Sequence, residues 1–237
     1  MIEGARVPVE LQKLRNGLVV SCQPVKGGPM DSAQIVVAFA LAALAGGAQG
    51  LRIESPDYVR AVRAATDRPI IGLVKRDLDD FPIRITPWIE DVDTLAKAGA
   101  DIIAYDATLR ERPVAAADLI RRIHAHGRAA MADCATIEDA RAALAGGADI
   151  VGSTLSGYTG GPEPTEPDLV LVREMRALTP NVIAEGCIRL PRDARQALAA
   201  GAHAVVVGSA ITRPEHITSW FRSEMDEQFA AMEASAP

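Results

Sequence analysis

Two side chains of opposite acid–base character each close an otherwise apolar run: Lys75 ends PIIGLVK and Glu185 ends VIAE. A lysine brought to a water-poor mouth loses hydration, so its ammonium releases a proton more readily and the amine becomes a base. The same loss of hydration makes a carboxyl group hold its proton and serve as an acid. A lysine that snorkels to solvent or binds an anion, and a glutamate that accepts hydrogen bonds from a substrate hydroxyl, are the alternatives these two runs leave open. Asp133 follows AAMA and suits the orientation of a substrate or of another side chain, whereas Asp106, in YDATLRERP, suits a structural role in which its carboxylate accepts backbone N–H groups of its own loop. Gln23, Arg52, Glu54, Arg76, Thr108, Ser153 and Thr154 occupy comparable ends of apolar runs.

A second constellation suits an anion. The runs VIAEG-CI and AVVVG-SAITRP place Gly186, Gly208, Ser209 and Ala210 just beyond strands, where unpartnered backbone N–H groups and the start of a helix favour phosphate oxygens. Arg213 adds charge-assisted hydrogen bonds there. A plain turn is the competing reading of a Gly-Ser pair.

Other chemistries find little support. His124 and His126 lie two apart in an expected helix and diverge, His203 precedes a strand at the end away from the candidate site, and His216 falls on the last helix. No metal site is therefore expected. No strand-linked GxGxxG with an acidic follower occurs, so no dinucleotide cofactor is expected. Cys22, Cys134 and Cys187 form no CxxC and have no histidine base at a strand end, which makes them packing residues. Their odd number and wide spacing provide no disulfide framework and point to a cytoplasmic chain.

Composition narrows the partners. Lys and Arg number 25 against 31 Asp and Glu, a formal net charge of −6 with no basic tract, so a nucleic-acid partner is not expected. The start Met1-Ile2-Glu3-Gly4 lacks the basic and apolar parts of a signal peptide. The most apolar stretch, AQIVVAFALAALAGGA at 33–48, is shorter than the roughly 20 residues needed to cross a bilayer, so a buried helix is expected and no membrane partner. Its Ala-rich part, Ile35–Ala45, could alternatively contribute to a homodimer.

What positions these residues is a repeat: an Ala/Leu-rich run, a Gly-Ala pair, then a short β-branched run. It recurs as LAGGAQGLRI, LAKAGADIIAYDA, LAGGADIVGSTL and LAAGAHAVVVGSAI, with the pairs beginning at Gly47, Gly99, Gly147 and Gly201. Each Gly marks a helix end that needs positive φ. With the alternates between them, eight strands are expected, at 18–21, 50–53, 70–74, 101–105, 128–132, 149–152, 181–184 and 204–207. Helices are expected at 33–45, 56–65, 92–98, 115–125, 137–145, 167–178, 191–199 and 214–231. Continuous apolar strands alternating with helices indicate a parallel sheet covered by helices. An open doubly wound sheet uses the same signals, but eight even units without a linker favour a closed (β/α)8 barrel of the TIM type, one α/β domain over 1–237, with the polar strand ends gathered at its C-terminal rim. The connection after Lys75, with Pro82 and Pro87, is an extended rim loop at about 76–91, read as a flap or wall of the site, with a plain surface excursion as the other reading. The C-terminus is expected to fray.

These phrases together resemble the N-acetylmannosamine-6-phosphate 2-epimerase family, a branch of the phosphate-binding barrels. The resemblance is carried by SCQP, GLRIES, PIIGLVKRD, ITPWIEDVD, DIIAYDATLRERP, MADCATIEDA, GSTLSGYT, VIAEGCI and VVVGSAITRPEHIT, from about Leu14 to Phe221. It implies interconversion of N-acetylmannosamine 6-phosphate and N-acetylglucosamine 6-phosphate at C2, a step of sialic acid degradation, without organic cofactor or metal. It implies Lys75 and Glu185 as the catalytic pair, Gln23, Arg52 and Asp133 as substrate contacts, and Arg213 beside the phosphate. Two departures stand out: Tyr105 replaces an aliphatic residue before DAT, and Ser209 replaces a common second glycine. A metal-dependent pentose-phosphate epimerase, another phospho-metabolite synthase or decarboxylase, and a non-catalytic phosphosugar sensor are the alternatives.

Overall fold

The computed structural model describes residues 9–160 and 163–234; the leader reading at Met1–Gly4 falls outside them. Eight parallel strands close into a barrel in sequence order: β1 Gly17–Cys22, β2 Gly50–Glu54, β3 Ile70–Leu73, β4 Ile102–Asp106, β5 Ala129–Asp133, β6 Ile150–Gly152, β7 Val182–Ala184 and β8 Ala204–Val207. β8 pairs with β1, Leu18 opposite Val205, which settles closure over the open sheet. The helices are α1 Val9–Gln12, α2 Ala33–Ala45, α3 Pro56–Arg63, α4 Ile89–Ala98, α5 Ala116–Ala125, α6 Ile137–Ala145, α7 Leu169–Leu178, α8 Pro191–Ala199, α9 Ser209–Thr212 and α10 Pro214–Ala234.

The repeat works as its chemistry requires. Gly47, Gly99, Gly147 and Gly201 have φ of 101°, 100°, 98° and 104°. The residue two beyond the glycine then seals a neighbouring strand at the barrel floor: Gln49 Oε1 accepts from Leu18 N, Asp101 Oδ2 from Ile70 N, and Asp149 Oδ2 from Ala130 N, at 2.8, 2.9 and 2.8 Å. Because Asp101, Arg128, Asp149 and Asn181 serve as entries, β4 to β7 each begin one residue later than expected. α7 begins at Leu169 rather than Pro167 because Asp168 is its N-cap, accepting from Leu171 N at 2.9 Å. α4 starts earlier than Val92, with the Asp91 carboxylate accepting from Trp88 N at 3.3 Å.

Strand parity divides the core in two. Val19, Ile71, Leu73, Ile102, Ala104, Ala129, Met131, Ile150, Ile183, Ala204 and Val206 point inward, with Leu11 and Leu14 packed against them. The alternate residues, among them Leu51, Ile53, Ile103, Val151 and Val205, pack outward under the helices. The expectation of a buried helix at 33–48 is corrected: α2 buries only Val36 and Ala40, while Ala38, Leu41, Ala42 and Ala45 are exposed. A barrel helix covers strands along one stripe, so an apolar helix still leaves an outer face.

The connection at 76–91 is stitched to the rim. Lys75 and Ile85 form an antiparallel bridge, Thr86 N donates to Val74 O at 2.7 Å, and Asp106 N donates to Ile85 O at 2.9 Å. Buried Thr86, held at φ 47°, donates its hydroxyl to Ala104 O at 2.6 Å. Ile85 joins the inner core, which ties this end of the segment to the barrel.

Candidate active site

Period two along each strand selects what faces the mouth. From inward Val19, Ile71, Ala104, Met131 and Ile183, counting by twos reaches Ser21 and Gln23, Leu73 and Lys75, Asp106, Asp133, and Glu185. On β2 the outward pair Leu51 and Ile53 leaves Arg52 and Glu54 inward. β3 and β7 lie four strands apart in the closed ring of eight, so Lys75 and Glu185 approach the mouth from opposite sides.

At the centre is a buried charge cluster. Arg52 and Asp133 are 1% and 0% exposed, and the guanidinium holds the carboxylate at both oxygens, Nη1 to Oδ1 at 3.1 Å and Nη2 to Oδ2 at 2.7 Å. Arg52 Nη1 also donates to Glu185 Oε2. The Thr154 hydroxyl donates to Asp133 Oδ1 at 2.6 Å and lies 3.3 Å from Glu185 Oε2. Ser153 sets the Glu185 backbone: its Oγ donates to the Glu185 carbonyl at 2.9 Å and accepts from Glu185 N at 3.1 Å. Arg52 thus orders two carboxylates rather than presenting an open fork to the mouth. Burial works against its charge, yet Asp133 and Glu185 outweigh that and raise its proton affinity.

The remaining groups are tuned by burial. Desolvation raises the Glu185 pKa, with Asp133 adding to the rise and Arg52, Lys75 and Thr154 opposing it. Desolvation lowers the Lys75 pKa; Arg213 and Arg52 lower it further, while Glu54 and Glu185 oppose them. A depressed lysine and an elevated carboxyl are the directions that acid–base chemistry near neutrality needs.

Beyond β8, Gly208 leads into α9. Thr212 Oγ1 donates to Ser21 O and Arg213 Nε to Gln23 O, each at 2.7 Å, which pins α9 to the end of β1. Gly186, Gly208, Ser209 and Arg213 are partly open to the rim, and Gly186 takes φ 108°, a conformation that favours glycine. Gln23 is 6% exposed; its Nε2 donates to Ser21 Oγ at 2.7 Å, and its Oε1 has no hydrogen-bond partner.

Asp106 serves its loop, accepting from Thr108 N at 3.0 Å, Thr108 Oγ1 at 2.6 Å and Arg110 Nη2 at 3.0 Å. Tyr105 points outward into the helix layer, fully buried, with no partner for its hydroxyl. Cys22 and Cys134 are buried, and burial pushes the Cys22 thiol up to about 12. His124 and His126 meet Asp149 and Asp93 away from the mouth, at 2.8 and 2.7 Å. Among the described residues no three His, Cys, Asp or Glu side chains gather as a metal site, and no helix is long and apolar enough to cross a membrane. Thr86 was not foreseen, since nothing in ITPW marks its hydroxyl as a brace; Glu54 and Thr154 were strand-end candidates without an assigned role.

Residues 36–227 match the family model NanE, described as "Putative N-acetylmannosamine-6-phosphate epimerase". The chain belongs to the NanE family. Similar proteins include the "Putative N-acetylmannosamine-6-phosphate 2-epimerase" of Yersinia pseudotuberculosis serotype O:3, 58% identical over 209 residues that cover 88% of this chain and 90% of the relative. Yersinia pestis has a relative so described with the same identity and coverage. The N-acetylmannosamine-6-phosphate 2-epimerase structure from Clostridium perfringens superimposes with a TM-score of 0.88 at 38% identity, covering 94% of this NanE-family chain and 99% of that one. A thiamine phosphate pyrophosphorylase structure from Pyrococcus furiosus, 19% identical with a TM-score of 0.60, covers 86% of this chain and 90% of that one and shares the fold alone.

Proposed function

We propose that this NanE-family enzyme interconverts N-acetylmannosamine 6-phosphate and N-acetylglucosamine 6-phosphate by moving the proton on C2. The reading rests above all on the placement of Lys75 and Glu185, which approach one mouth from strands four apart in the ring; burial there weakens the hold of the amine on its proton and strengthens that of the carboxyl. Inverting C2 requires breaking its C–H bond. With C1 as an open-chain aldehyde, the electron pair left behind moves into an enolate, which makes this proton removable. Lys75 takes the proton from one face, and Glu185 supplies one to the other; in the reverse direction the roles exchange. Gly186, Gly208, Ser209 and Arg213 hold the phosphate, whose binding energy anchors the sugar. Gln23 Oε1 accepts from a substrate donor, and Asp133, locked by Arg52 and Thr154, orients the hydroxyl-bearing side of the chain. No organic cofactor or metal takes part.

A second proton route has specific support. Glu185 Oε2 is already engaged by Arg52 and Thr154, contacts that favour its ionised form; on this route Lys75 carries the proton both ways, the open-chain enolate turning its other face to the same amine before the proton returns to C2. Proton NMR of N-acetylmannosamine 6-phosphate with the protein in deuterated water tests both the function and the route. Formation of the C2 epimer carrying deuterium supports the function, and absence of any epimer refutes it. In a single turnover, partial retention of the original hydrogen identifies one carrier, and complete exchange supports two.

We also infer a homodimer in the cytoplasm, the latter in keeping with three free cysteines. α10 buries none of its side chains and exposes Phe221, Met225 and Phe229 on one stripe at 69, 62 and 60%. Beside it, a cavity of about 360 Å³ on the outer face of β8 and β1 is lined by Leu18, Leu198, Val205, Val207 and Ile211. That is where a barrel's last helix normally packs, and the α10 stripe of a second copy is its proposed occupant.

A further inference from the structure

Among the described residues, one carboxylate lies within ion-pair distance of Lys75: Glu54, whose Oε2 is 3.5 Å from Lys75 Nζ. The register explains this placement. Glu54 pairs with Leu73 across β2 and β3, so Lys75 is its diagonal neighbour on the same inward face. Ser55 locks that register, its N–H donating to Leu73 O at 2.8 Å. The same serine sits at φ 73° and caps α3, its hydroxyl accepting from Tyr58 N at 3.3 Å. A non-glycine residue in the left-handed region directly after Glu54 is the kind of local strain that a fold retains where a side chain must be aimed.

Among the described residues, charged groups at the neighbouring strand ends have other partners. Arg52 is held by Asp133 and Glu185, Arg213 donates to Gln23 O, Arg76 turns to Asp91, and Asp106 pairs with Arg110. Two of these cations, Arg213 and Arg52, disfavour an ammonium on Lys75.

We propose that Glu54 is a positioning residue for proton transfer: its carboxylate aims the Lys75 amine into the mouth and stabilises the ammonium formed once the C2 proton has been taken. This rests on the reading of Lys75 as the base. In the forward step the C–H bond breaks, its electron pair enters the enolate and the proton joins Nζ, producing a third cation beside Arg52 and Arg213. Glu54 offsets that third charge. Without it the amine is a weaker base, and the ammonium is formed less readily at the same distance from C2.

The test is the pH profile of kcat/KM for Glu54→Gln and Glu54→Asp beside the parent, with Lys75→Ala as a control. In E54Q the acidic limb, where Lys75 loses its proton in the free enzyme, should move down by about one pH unit, as expected for removing an opposite charge at this distance near solvent. The plateau should fall about 3- to 30-fold, mostly in kcat, from weaker basicity and looser aim. E54D, which keeps the charge, should retain the parent limb. A purely structural glutamate would lower activity without moving the limb, and that result overturns the inference. Should E54Q be too unstable to assay, the pH dependence of Lys75 acylation by a lysine reagent, followed by peptide mapping in Glu54→Asn and the parent, provides a second readout: the amine should become reactive at lower pH in the variant, and equal reactivity at every pH also overturns the inference. If Lys75→Ala keeps parental activity, the reading of Lys75 has failed instead, whatever the Glu54 variants do.

Discussion

Replacing Arg52 by methionine removes the one cation that two carboxylates share while nearly conserving side-chain volume. Asp133 is fully buried and bonded to Arg52 at both oxygens, and Glu185 is tied to the same guanidinium. Breaking a buried pair by deleting one partner costs about 3–5 kcal/mol, mostly because the remaining charge is left uncompensated. For a domain of this length each kcal/mol moves Tm by about 2–4 °C, so calorimetry at pH 8 should show Arg52→Met melting about 6–20 °C below the parent. The deficit should have a pH signature. Carboxylates stranded without a cation hold protons more tightly folded than unfolded, so the penalty is largest at high pH and shrinks as the pH is lowered through their folded-state pKa. The double variant Arg52→Met with Asp133→Asn should recover about 1–3 kcal/mol relative to Arg52→Met, since the stranded charge is gone. Strict additivity, with the double variant losing the sum of both single effects at every pH, would refute the view that charge compensation rather than packing holds this cluster.

Lys75→Ala should lower kcat by about 10²- to 10⁴-fold with Tm within a few degrees of the parent, measured by the NMR epimerisation assay and calorimetry. Arg213→Ala should raise KM for the phosphorylated sugar about tenfold or more while leaving the residual rate on the unphosphorylated sugar unchanged; an equal loss on both would exclude a phosphate role. Light scattering after size exclusion should give twice the 25.0 kDa chain mass, and Phe221→Asp with Phe229→Asp should halve it; a monomeric parent would remove the proposed α10 exchange surface.

Much of this molecule is written in short-range patterns. The Gly-Ala pairs announced the helix ends and the strands after them, because a φ near 100° is a local requirement that glycine meets wherever it stands. Parity was equally local: once PIIGLVK and VIAE were strands, Lys75 and Glu185 had to leave their last turns on the same face as Leu73 and Ile183. The apolar composition of 33–48, by contrast, did not foretell its exposed side, since composition records what a helix is made of and not how many neighbours its layer supplies.

What the residues could not decide was pairing across strands. Nothing near Arg52 in the chain states that it would clasp Asp133, 81 positions away, and also Glu185 at 133 positions, nor that Thr86 in an irregular segment would brace Ala104. These contacts exist only because the ring closes, β8 against β1, and brings the ends of β2, β5 and β7 to one mouth. Backbone conformation follows from nearest neighbours, and so survives in the sequence as pattern. The electrostatics of the site depend on distances set by closure, and those become definite only in the folded barrel.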